Sequence, residues 1–135
     1  MRMLSMGMPI ARSAFVYFVA IFALAFGLGV ARTLIVAPAT GETAAVLLEI
    51  PVVLAASWVV ARRLLRGRGV TLLQRAAMGG LAFALLMASE AALAGVLRGQ
   101  SIGQWAQALA TPLGLIGLAG QIGFAAMPVL AGRER

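Results

Sequence analysis

Four long apolar stretches make up most of the chain, and every arginine falls in the short segments between and beyond them. The stretch from Ala14 to Ala31 holds no charge, Thr43 to Val60 holds Glu49 alone, Ala76 to Leu97 holds Glu90 alone, and Ala106 to Leu130 holds none. Each reaches the length, about 18 residues or more, at which an apolar helix crosses the hydrocarbon of a bilayer. The pattern predicts an all-α polytopic membrane protein: one domain over residues 1–135, a bundle of four transmembrane helices at 14–31, 43–60, 76–97 and 106–130. Pro112 and Pro128 bend or break the fourth helix.

The segments between the stretches set the expected ends. Met1 to Ile10 contains Arg2, Gly7 and Pro9 and reads as a disordered or surface-lying leader. A secretory signal peptide is the alternative for the first stretch, since Ala37-Pro38-Ala39 imitates a small-residue cleavage site. The apolar run is longer than the usual 7–15 residues and Arg32 interrupts the approach to that site, so a spanning helix is the better reading. Thr33 to Gly41 turns the chain, with Thr40 as N-cap of the second helix and Glu42 in its first turn. Pro51 inside that helix frees a backbone carbonyl, and Trp58 before Arg62 and Arg63 marks an interface. The loop from Arg62 to Arg75 is the most basic segment, while Arg98 to Gly103 is a short polar turn followed by a second interface tryptophan, Trp105.

Composition sharpens this picture. Hydrophobic residues are 62% of the 135 and charged residues 11%, against about 45–50% and about 25% in an ordinary soluble domain. The net charge of +7 comes from eleven basic residues, all arginine, against Glu42, Glu49, Glu90 and Glu134. Such a balance in a soluble protein would point to nucleic acid. Here every arginine except Arg32 and Arg98 falls on one side of the four spans, so by the positive-inside rule both termini are cytoplasmic. The expected partners are the lipid bilayer, with anionic headgroups at the basic loop, and no nucleic acid. The chain has no Cys, His, Asp, Asn or Lys. Disulfides, thiol chemistry, histidine-held haem and the usual zinc sites are excluded, and no cofactor or metal is expected.

Carboxyl groups inside lipid are costly, which makes Glu49 and Glu90 the candidate site. Glu49 lies about six residues into the second helix and Glu90 about seven from the end of the third, or ~9 and ~10 Å below the same surface. Consecutive helices joined by a short loop are expected to pack side by side, which would bring the two together. Around Glu90 the helical stripe is Ala76, Gly79, Phe83, Met87 and Ala94; Glu49 shares a face with Glu42, Ala45, Val53 and Ala56. Arg32, ending the first helix, is placed to set the charge of the pair. Glu42, Arg98, Pro51 and Gln121 support it, Gln121 lying deeper, and the outer half forms a vestibule with the glutamates as its floor. The structural alternative bonds the carboxyls to each other, to Ser57 or to Ser89. Gly114, Gly117, Gly120 and Gly123 suit close helix packing and, secondarily, a homodimer.

The residues Gly27-Leu-Gly-Val-Ala-Arg32, Pro38, Gly41-Glu42, Glu49-Ile-Pro51 and Ser57-Trp58 resemble a pattern of short four-helix proteins of bacterial inner membranes. The resemblance covers the first half of the chain and implies a fold and a location in the bacterial inner membrane, with no activity attached. In size the chain is also similar to the small multidrug exporters, but their key glutamate lies in the first helix, which here has no acid. The function expected is binding or translocation of a small cation or proton-linked solute through the two-glutamate site. The alternative is a structural or accessory membrane subunit whose glutamates pair with a partner helix. Enzymatic activity on a lipid is the weakest reading, because the chain offers few nucleophiles or acid–base groups.

Overall fold

The computed structural model describes residues 9–132, so most of the leader, with Arg2, and the tail residues Arg133, Glu134 and Arg135 lie outside the described residues. The elements are α1 (Ile10–Ala31), a π-helical segment (Arg32–Val36) leading into the short α2 (Ala37–Thr40), α3 (Glu42–Leu65), α4 (Leu72–Arg98), α5 (Ile102–Leu109) and α6 (Pro112–Gly132). Four helical stretches are long and apolar enough to cross a membrane: Ile10–Thr40, Glu42–Leu65, Leu72–Arg98 and Pro112–Gly132.

Every helix outruns its expected bounds, because polar side chains at a helix end do not themselves stop it. The first begins at Ile10, where Pro9 precedes it and the Pro9 carbonyl accepts from the amides of Arg12 and Ser13. It does not end at Ala31. The chain stays helical through Arg32 and Pro38 until Gly41, whose φ of 91° is closed to residues with a Cβ. Thr40 is therefore not an N-cap: its Oγ1 donates to the Val36 carbonyl, and Gly41 precedes α3 with no side-chain cap. The second helix runs through Pro51 to Leu65, and the basic loop shrinks to residues 66–71. Thr71 and Gln74 then start α4 with a reciprocal capping box.

The fourth stretch is two helices. Ser101 and Gln104 form a second capping box that opens α5 before the expected start. The chain breaks at Ala110, and Thr111 Oγ1 accepts from the Gly114 amide to start α6, with Pro112 in its first turn where a missing N–H costs nothing. A side chain on Gly114 would overlap the Ala108 carbonyl, so the α5–α6 corner needs glycine there.

Helices α1 and α6 each pack against both α3 and α4, whereas α3 and α4 make no close backbone approach to one another. The expected side-by-side packing of the two glutamate helices is therefore wrong: they stand diagonally across the bundle. Small residues on α6 and α4 explain it, since they let α6 sit between the pair. A Cβ on Gly79 of α4 would overlap the Ala125 carbonyl, and one on Gly123 would lie 2.7 Å from Leu54 Cδ2 of α3. Gly120 seats Ile50 in the same way.

The buried core occupies one end, formed by the start of α1 and α4 and the finish of α3 and α6. Tyr17, Phe18, Ile21, Ala61, Met78, Leu86 and Phe124 meet there. Pro128 has no N–H to offer the carbonyl four residues back, Phe124. Tyr17 supplies the missing donor: its hydroxyl donates to the Phe124 carbonyl at 2.5 Å, and the two rings stack with centroids 4.6 Å apart. Arginines close this basic end. Arg68 donates to Ser13 Oγ and the Leu64 carbonyl, Arg75 donates to the Val129 carbonyl, and Arg62 lies over the Trp58 ring. The outside of the bundle is apolar, with Phe15, Phe26, Leu48, Val52, Val96 and Ile122 all exposed, a surface suited to hydrocarbon rather than water.

Tyr17→Phe leaves a buried carbonyl without a donor and is expected to lower stability by about 1–3 kcal/mol. Pro128→Ala restores an intrahelical donor, so the double variant should recover most of that loss. Thermal unfolding of the purified protein checks this; losses that simply add would show that Tyr17 does not serve the proline-freed carbonyl.

Candidate functional site

Opposite the basic end the bundle is open. A cavity of about 410 Å³ runs between α1, α3, α4 and α6, with Ile21, Leu86 and Phe124 at its deep end. A second, of about 600 Å³, lies between α1, α4 and α5 and reaches Phe26, Val30, Leu97 and Trp105. Arg32, Glu49, Glu90 and Arg98 border both. The glutamates are thus walls of the cavity rather than its floor, which the Tyr17–Phe124 layer provides.

Glu49 and Arg32 form the first half of the site. Because the helix continues to Thr40, Arg32 sits eight residues before its end instead of at it, ~12 Å along the axis. That places it level with Glu49, about seven residues into α3, and Arg32 Nε donates to Glu49 Oε1 at 2.7 Å. Gly29 lies beside the guanidinium, where a Cβ would make ordinary contact with Arg32 Nη2 at 3.5 Å. A π-helical turn begins at Arg32, a feature frequent at functional sites. Glu42 is exposed and stands 4.0 Å from Arg32 Nη1, at the outer margin of the pair.

Glu90 forms the other half, with a different partner. Gln121 Nε2 donates to both its oxygens, at 2.6 and 2.7 Å. Gln121 does not lie deeper than the glutamates: once α6 starts at Pro112, Gln121 is about nine residues in, or ~14 Å, and Glu90 about eight residues from the end of α4, or ~12 Å. Gln121 Oε1 is buried and has no hydrogen-bond partner. The stripe around Glu90 faces the bundle at Gly79 and Ala94, both buried, while Ala76 is exposed.

The two carboxyls share a cavity without sharing a hydrogen bond, and neither bonds a serine: Ser57 Oγ donates instead to the Val53 carbonyl. Among the described residues the ion pairs are those of Arg32 with Glu49 and Glu42. Arg98 borders the cavities but is exposed and unpaired with either glutamate. Pro51 is exposed and lines neither cavity. Gly117, expected as a helix-packing residue and secondarily as part of a homodimer surface, borders the cavity, where a Cβ would meet nothing within 4 Å. Its role depends on where α3 and α4 stand, which no helical period reveals. No protein-family model, curated protein or solved structure matches the chain.

Removing one member of the Arg32–Glu49 pair leaves a partly buried charge alone, and Arg32→Gln or Glu49→Gln is expected to cost about 1–3 kcal/mol, less than a fully buried pair because both side chains keep some exposure. The double variant should lie close to wild type in thermal unfolding. A double variant as unstable as the sum of the singles would mean the pair is not coupled.

Proposed function

We propose that the chain spans the bacterial inner membrane four times, with both termini cytoplasmic, and that it binds or translocates a small cation or proton-linked solute through the cavity between Glu49 and Glu90. The observation that carries this reading is the asymmetry of the two carboxyls. Arg32 bonds Glu49 directly, whereas the direct partner of Glu90 is a neutral amide and Arg98 borders the cavity without pairing with it. An acid so placed can exchange a proton for a cation, because either neutralises it where water is scarce.

Gln121 suits both states of that exchange. With Glu90 ionised, the amide nitrogen donates to both oxygens, as observed. With Glu90 protonated, the acid can donate to the buried, unpartnered Gln121 Oε1 while accepting from Nε2. The accessory-subunit reading gains less support, since both glutamates already have partners within the chain. The arginines of the basic end would meet anionic headgroups at the cytoplasmic surface.

Glu90→Gln in proteoliposomes is expected to reduce cation or proton flux at least tenfold with the fold intact, and Glu49→Gln to abolish it as well. If both variants match wild type, the two-glutamate site carries no transport. Orientation has its own check. The chain has no cysteine, so single cysteines can be introduced at the exposed positions Thr43 and Arg66. In intact spheroplasts a membrane-impermeant maleimide should label the first and not the second; the reverse pattern would invert the topology.

A further inference from the structure

Resting on the reading of Glu49 and Glu90 as a cation or proton site, we infer that the ligand is an amphipathic organic monocation, its charged head against Glu90 and its apolar body in the cleft between α1 and α4.

The charge count limits the head. Glu49 is already bonded to Arg32, whereas Glu90 has no cation within ion-pair distance, the exposed Arg98 bordering the same cavities without contacting it. One positive charge matches Glu90. A bare divalent ion would want six or more oxygen ligands, and among the described residues no three metal-ligating side chains come together. The two carboxyls also stand on diagonal helices, each held by its own partner, which leaves them spread around a ligand rather than closed on an ion.

The space limits the body. Cavities of about 410 and 600 Å³ are in the range of sites for organic molecules. Away from the carboxyls the second one is walled by Phe22, Phe26 and Val30 of α1 and Leu93, Ala94 and Leu97 of α4. Phe26, Val30 and Leu97 are all exposed along this wall. The cleft therefore joins the buried carboxyl to the apolar flank, and a molecule with a hydrocarbon tail can enter sideways with its head leading. A small hydrated ion has no use for such a wall, since dehydrated apolar surface offers it nothing in place of water.

The full chain in nanodiscs of zwitterionic lipid tests this. Trp105 lines the cleft and Trp58 stands at the basic end beneath Arg62, so Trp58→Phe leaves Trp105 as the reporter. The probes are tetramethylammonium, a series of alkyltrimethylammonium ions of rising chain length, and the alkanols of matching length. Saturable binding of one ion per chain is expected, tightening about two- to fourfold for each added methylene and weakening at least tenfold in Glu90→Gln. The alkanols should show no dependence on Glu90. If tetramethylammonium binds as tightly as the long-chain ions, the cleft is not part of the site and the inference fails while the small-cation reading stands. If no organic cation binds but Glu90→Gln still abolishes cation flux, the same conclusion holds. If no cation binds and flux ignores Glu90, both readings fall.

Discussion

A single hydrogen bond across the diagonal of the bundle divides the molecule into two halves with different physics. Pro128 removes a donor from the middle of α6, and the orphaned Phe124 carbonyl is met by the Tyr17 hydroxyl, whose ring stacks on the ring of the same residue. An apolar surrounding makes this bond matter more, for no water is at hand to take the carbonyl instead. The bond ties α1 to α6, the two helices that otherwise meet only through α3 and α4. On one side of it lies the packed core and the arginine-closed end; on the other the helices enclose open space.

That division lets buried charge persist. Below the Tyr17–Phe124 layer the interior is filled with side chains such as Met78 and Ala82, each with no exposed surface. Above it Glu49 and Glu90 keep partial exposure to the cavity, so their desolvation is incomplete and one partner each suffices. The partners differ in kind. Arginine answers Glu49 with a fixed charge, and glutamine answers Glu90 with an amide that can serve an acid in either protonation state. The site is thus built from one carboxyl paired with a fixed charge and one bonded to an amide, both facing the same space.

Much of the architecture was legible in the residues. Apolar length alone located four long helices, and Glu49 and Glu90 stood out because carboxyls are rare among such residues. Ser101 with Gln104 and Thr111 with Pro112 are helix-start signals that the chain also carries, and they mark α5 and α6. Reading them would have put Gln121 at the level of Glu90. Arg32 was misplaced for a different reason. A charge beside an apolar run looks like an exit, yet only Gly41, with its positive φ, ends the helix.

The chain by itself determined which groups must be hidden from lipid and how far along each helix they lie, because length, hydropathy and the rise of a helix are properties of a segment. The tertiary structure alone decided which groups meet. Helix period assigns a side chain to a face but not to a neighbour, and the neighbours here depend on α6 sliding between α3 and α4 on Gly79, Gly120 and Gly123. That insertion parts the two glutamates, gives one to Arg32 and the other to Gln121, and leaves a cavity between them where close-packed consecutive helices would have left none.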